Sequence, residues 1–145
     1  MFKSVFNIAS NAMSANRLRI NTIASNIANA QTTRTEEGGP YKRRDVALVA
    51  TDIPEQSFDN VLDQASVKNV KVAAVVVDQK PPMQIYDPGH PDADPKTGMV
   101  AMPNINPVTE MVNMLTASAA YKAAAEVVSV TKDMANAVRN MAQRL

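Results

Sequence analysis

Apolar residues return at alternating steps of four and three from one end of the chain to about its thirtieth residue. Phe2, Phe6, Ala9, Met13, Asn16, Ile20, Ile23, Ile27 and Ala30 carry that rhythm, with Asn16 its one polar member. The other end repeats it in Ala120, Ala124, Val127, Thr131, Met134, Val138, Met141 and Leu145. A stripe with this period stays on one side of a helix and is built to face another helix. The pattern predicts a helix over about residues 2–30, roughly 40 Å long at ~1.5 Å per residue. A second helix is predicted from Pro107 to Leu145, because Asn106 can cap it and Pro107 suits its first position. Val108, Met111 and Leu115 form the first stripe of that helix, and the phase slips near residues 117–120. The alanines there make it slim enough for a neighbour to approach closely.

Between the helices the period changes. Gly38-Gly39-Pro40 ends any regular element. Tyr41 to Ala50 and Val67 to Val77 read as strands, the latter with Val70, Val72, Ala74 and Val76 expected on one face. Residues 52–64 are ambiguous, with Phe58, Val61 and Leu62 as anchors. Met83–Tyr86 and Met99–Met102 read as short strands around a Pro-rich loop at 87–98. The fold class is therefore α+β: an N-terminal helix within 1–33, a β-rich segment over 34–106, and a C-terminal helix over 107–145.

Composition narrows the function. Aromatics make up 4% of the chain and Trp is absent, so a large globular core would lack its usual fillers. There is no Cys, which removes thiol and disulfide chemistry. Residues 1–33 carry Lys3, Arg17 and Arg19 and no acid, and the net charge of +1 is far from the dense basic stripe nucleic acid requires. The polar residues of the first helix are Asn7, Asn11, Asn16, Asn21, Asn26 and Asn29 with several Ser and Thr, and almost no charge. Such a helix is marginal alone and is expected to form on packing. Asn7, Ser10, Asn11 and Ser14 break any apolar core of a cleavable signal peptide.

Chemical candidates are few. His90, Asp92 and Asp94 alternate in the Pro-rich loop, but one His and two nearby carboxylates make a poor ligand set, and a solvated or contacting loop is the stronger reading. Lys42-Arg43-Arg44 reads as the start of a strand rather than a phosphate contact, because no aromatic residues interleave with it. No nucleophile arrangement stands out. No cofactor, metal or small-molecule substrate is implied. Two destinations remain for the apolar stripes: helical packing in an assembly, or an amphipathic adaptor on a membrane surface.

The residues also carry a resemblance. Ala24-Ser25-Asn26-Ile27-Ala28-Asn29-Ala30, then Thr32-Thr33-Arg34-Thr35 and Gly38-Gly39-Pro40-Tyr41, resemble the N-terminal signature of bacterial flagellar rod proteins. The loop from Tyr86 to Asp94 and the run Met102-Pro103-Asn104-Ile105-Asn106, leading into Glu110-Met111-Val112-Asn113-Met114, are similar to a proximal-rod member of that family. Ala119, Ala124 and Met99 depart from its usual pattern. The resemblance implies a structural subunit whose terminal helices form an inner coiled-coil layer, with the β segment outside. It implies export through the flagellar type III apparatus without a cleaved signal, and assembly in the periplasmic rod. The implied partners are copies of itself, proximal and distal rod subunits, and an adaptor of the membrane ring at the rod base. The expected subunit-interface residues are Phe2, Phe6, Met13, Ile20, Ile23, Asn26, Ile27, Asn29, His90, Met111, Leu115, Val127, Met134, Val138, Met141 and Leu145.

Overall fold

The computed structural model describes residues 2–52 and 68–143. Its elements follow the change of period along the chain: α1 (Phe2–Ala28), β1 (Arg44–Thr51), β2 (Asn69–Val77), β3 (Met83–Tyr86), β4 (Met99–Met102) and α2 (Pro107–Ala142). The ambiguous stretch with Phe58, Val61 and Leu62 lies outside the described residues, as do Leu145 and the side chain of Phe2.

Local chemistry sets the boundaries. After α1 the chain turns through Asn29, whose backbone oxygen accepts from the Thr32 N–H. Gly38 and Gly39, both with positive φ, let the Thr35 N–H reach the Gly39 oxygen, and the Tyr41 N–H then returns to the Thr32 oxygen. At the start of α2, Asn106 is extended, and its side-chain oxygen accepts from the Val108 and Thr109 N–H groups. These are two of the donors that a helix start leaves without partners.

The strands form two antiparallel pairs, β1 with β2 and β3 with β4. The β1–β2 register shifts between Ala47 and Leu48, so Ala47 opposes Ala74 while Leu48 opposes Val72. The extra residue is Ala73. A bulge of this kind moves the residues beyond it to the other face. Val70, Val72, Val75 and Val77 therefore share the face that opposes Ala50, Leu48, Val46 and Arg44. This corrects the strict alternation expected of β2, which set Ala74 and Val76 beside Val70 and Val72. Val46 is the buried residue of that face.

α1 packs along α2 and also against β1 and β2. Asn26, near the end of α1, meets Glu110, near the start of α2, so the two helices run antiparallel. The covered line of α2 is Glu110, Met114, Ala117, Tyr121, Ala124, Val128, Thr131 and Ala135, again at steps of four and three. On α1 the buried residues are Ala9, Ala15, Ile23 and Asn26, and the half-buried Ala12, Asn16 and Arg19 continue a line of the same period through Ala9, Ile23 and Asn26. Two helices with seams do face each other, but α2 turns a different stripe inward from the one expected. Ala124 and Thr131 belong to both stripes. Val127, Met134, Val138 and Met141 are exposed, as are Val108, Met111 and Leu115. Small residues such as Ala117, fully buried, let the α1 backbone come close, and the bulkier side chains point away.

Candidate assembly surface

Two features stand out: a buried polar knot that fixes the helices, and an apolar ridge they leave uncovered. The knot centres on Asn26, which is 0% exposed. Its amide nitrogen donates to the Arg44 backbone oxygen at 2.7 Å and to Glu110 Oε2 at 2.9 Å. Its amide oxygen accepts from the Arg44 N–H at 3.0 Å and from the Tyr41 hydroxyl at 3.3 Å. The side chain thus pairs with both backbone groups of one strand residue, as a neighbouring strand would, and closes that point of the β1 edge.

Glu110 is 1% exposed. A carboxylate so deep requires partners, and Arg43 Nε donates to its Oε1 at 3.0 Å. Asn113 makes a longer contact to the same oxygen at 3.5 Å. Arg43 also pairs with Asp45 at 3.2 Å. Burial lowers the pKa of the Arg43 guanidinium, while the hydrogen bond and charge of Glu110, then those of Asp45, raise it, and the net direction is up. Arg43 therefore keeps its charge throughout the ordinary pH range. One end of α1, the first turn of α2 and the start of β1 are joined in this knot.

The ridge lies on α2. Val108, Met111, Val112 and Leu115 are exposed near its start, Leu115 by 71%, and Val127, Val130, Met134, Val138 and Met141 are exposed along its second half. Scattered apolar side chains at a surface are ordinary; these recur along one 36-residue helix, which makes the ridge the candidate for contact with other chains.

The other expected contact residues fall into groups. Ile23 and Asn26 are buried within the single chain, where they hold the fold together. Phe6, Met13, Ile20, Ile27 and Asn29 are half-buried. His90 is half-buried in the 87–98 loop, where its Nδ1 accepts from the Asp92 N–H. Asp92 in turn accepts from the Thr33 hydroxyl at 2.8 Å, tying the loop to the segment after α1. Asp94 accepts from the Lys96 N–H. Among the described residues no three His, Asp or Glu side chains are grouped to hold a metal ion. Among them, too, no helix is long and apolar enough to cross a membrane.

The family described as "Flagella basal body rod protein" matches residues 6–34, and that described as "Flagellar basal body rod FlgEFG protein C-terminal" matches residues 96–141. These matches take in the two helices and both ends of the knot. A flagellar basal-body rod protein FlgC of Borreliella burgdorferi is 39% identical over 142 residues, covering 92% of both chains. FlgC of Escherichia coli is 39% identical and that of Salmonella typhimurium 38% identical, each over 131 residues and 90% of both chains. The chain belongs to the FlgC family. It is a structural rod subunit of the flagellar basal body. In this FlgC-family chain the knot joins the helices within the subunit, and the ridge is the apolar surface they leave uncovered.

Sequence reasoning missed Arg43 and Glu110 as partners. Their signal was present, because Glu110 falls in phase with Met114 and Ala117 on the covered line of α2. An acid in such a phase requires a buried base or donor.

Proposed function

We propose that this chain is a subunit of the proximal part of the rod, within the periplasmic shaft that carries torque from the membrane ring to the distal rod and hook. The observation that carries the reading is the apolar ridge on α2, turned away from α1. Packing of such ridges against neighbouring helices builds a stiff, many-partnered column, as torque transmission requires. In this reading residues 1–33 and 107–145 form the inner helical layer, and 34–106 lies outside it. The contact residues are Phe2, Phe6, Met13, Ile20, Ile27 and Asn29 on α1, His90 in the loop, and Met111, Leu115, Val127, Met134, Val138, Met141 and Leu145 at the C-terminal end. Copies of this chain, other proximal and distal rod subunits and a membrane-ring adaptor are the partners. The chain reaches them through the flagellar type III apparatus without a cleaved signal. A helix with an uncharged, Asn-rich face suits passage unfolded and folding at the growing end.

The test is deletion of the gene in its own organism, with complementation, scored by electron microscopy of basal bodies. Membrane rings without a rod or hook, with swimming restored by the intact gene, support the assignment. Intact rods in the deletion strain overturn it.

A further inference from the structure

The seams of α1 and α2 do not by themselves fix how far one helix slides along the other. Both repeat with a heptad period, so a shift of seven residues lays one covered line on the other again. The two helices are also unequal, with 27 residues in α1 and 36 in α2. Counting back along α1 from the Asn26–Glu110 contact, and forward along α2 with equal rise, brings Phe2 opposite about residue 134. The last turns of α2, roughly 12 Å, therefore run past the end of α1. Val138 lies there, exposed, seven residues beyond Thr131 and in the same phase.

A slide of α1 by one heptad toward the end of α2 would keep its whole length covered and would also cover Val138. Burial of apolar surface favours that slide. What opposes it is the packing of α1 on β1 and β2, together with the polar contacts at its end. Among the described residues, Asn26 to Glu110 is the one side-chain hydrogen bond that crosses from α1 to α2. The other buried polar residue of α2, Thr131, donates to Val127 in its own helix and fixes no register. After a slide that leaves β1 in place, Asn26 would face the region of Ala117 and lose Glu110, Tyr41 and both backbone groups of Arg44, while Glu110 would keep Arg43. A buried polar group without a partner is costly, and a single one can specify register at the expense of stability.

We infer that the Asn26–Arg43–Glu110 knot is a register pin. It holds α1 one heptad short of the end of α2 and keeps the last turns of α2 bare. The residues act by positioning: replaced together by apolar side chains, they are expected to change the alignment of the helices more than their stability.

The absence of Cys from the chain makes the register directly readable. By the same count from the Asn26–Glu110 contact, Ala12 falls opposite Ala124 in the present alignment and opposite Thr131 after the slide. Full-length chains carrying Ala12→Cys with Ala124→Cys, or Ala12→Cys with Thr131→Cys, are oxidised, and the intramolecular product is read by gel mobility. With the knot intact, the first pair closes and the second stays at background. Replacing the knot by Asn26→Leu, Arg43→Met and Glu110→Leu is expected to raise closure of the second pair about tenfold, with helix content retained. Glu110→Gln, a milder change, is expected to raise it in the same direction. Retained helix with the second pair still at background in both variants overturns the inference. Loss of helix in both also overturns it, because the knot is then a requirement for folding and not for register.

Discussion

The side-chain nitrogen of Asn26 lies 2.9 Å from Glu110 Oε2, across 84 positions of sequence and with both residues out of contact with water. The contact makes the two helices and the start of β1 dependent on one another, and the cost of breaking it follows from which partner is lost.

Removing Arg43 alone leaves the Glu110 carboxylate buried without its cation. Arg43→Met is expected to cost about 3–5 kcal/mol, read from the urea midpoint, whereas Arg43→Met with Glu110→Leu should recover most of that loss. Because the Arg43 pKa is raised, the guanidinium's part in stability is complete below its ordinary value and fades only as pH rises through the higher folded one. Unfolding curves of the native chain between neutral and mildly alkaline pH should therefore show no loss attributable to Arg43. A double-variant cost equal to the sum of the separate Arg43→Met and Glu110→Leu costs would show that the pair is not coupled.

Exposed and buried apolar residues should fail in different ways. Met134→Asp lies on the uncovered ridge and is expected to change the stability of the isolated chain by less than about 0.5 kcal/mol while blocking rod assembly. Ile23→Asp places a charge in the core and should lower the melting temperature before any assembly is attempted. Melting curves with electron microscopy of basal bodies from the same strains separate the two. Normal rods with Met134→Asp would remove the ridge from the interface.

Asn106 holds the first turn of α2 through Val108 and Thr109. Asn106→Ala should cost about 1 kcal/mol and speed amide exchange at those two positions, with little change farther along the helix. Unchanged exchange there would mean that solvent replaces the cap.

Gly98 closes the β3–β4 loop at φ +67°, and an added Cβ would come within 2.8 Å of the Tyr86 ring. The ring is exposed and can swing aside, so the larger cost is the backbone conformation. Gly98→Ala is expected to destabilise the chain by about 1 kcal/mol and to loosen the bond from the Asp87 N–H to the Gly98 oxygen, visible as faster exchange at Asp87. Protection at Asp87 equal to that of the native chain would show that alanine adopts this conformation without strain.

The elements were legible in the sequence because their signals are local. Gly38-Gly39-Pro40, Asn106-Pro107 and the switch from period 3.6 to period 2 place both helices and four strands close to where they stand. The face that α2 turns to α1 was not legible. That helix carries two stripes, one mostly of Val, Met and Leu and one in which Ala117, Ala124, Thr131 and Ala135 alternate with Glu110, Met114, Tyr121 and Val128, and hydrophobicity ranks the first above the second. Which stripe meets the partner helix within the chain is decided by how closely the backbones approach, and this favours the smaller residues. The bulge at Ala73 escaped for a related reason: nothing in a run of valines says where the opposite strand loses a residue. The surface role expected of Asn26 rested on its place in a motif, which does not distinguish a contact with a neighbour from a contact with the chain's own Glu110.

The distance in sequence between Asn26 and Glu110 also sets an order of events. A chain that emerges N-terminus first presents α1 long before the residue that completes its polar partnership has followed. Through most of that emergence the first helix has half an interface and no counterpart. Commitment to the final structure is thereby deferred until nearly the whole polypeptide is free, and a late arrival, Glu110, decides when the earliest segment settles.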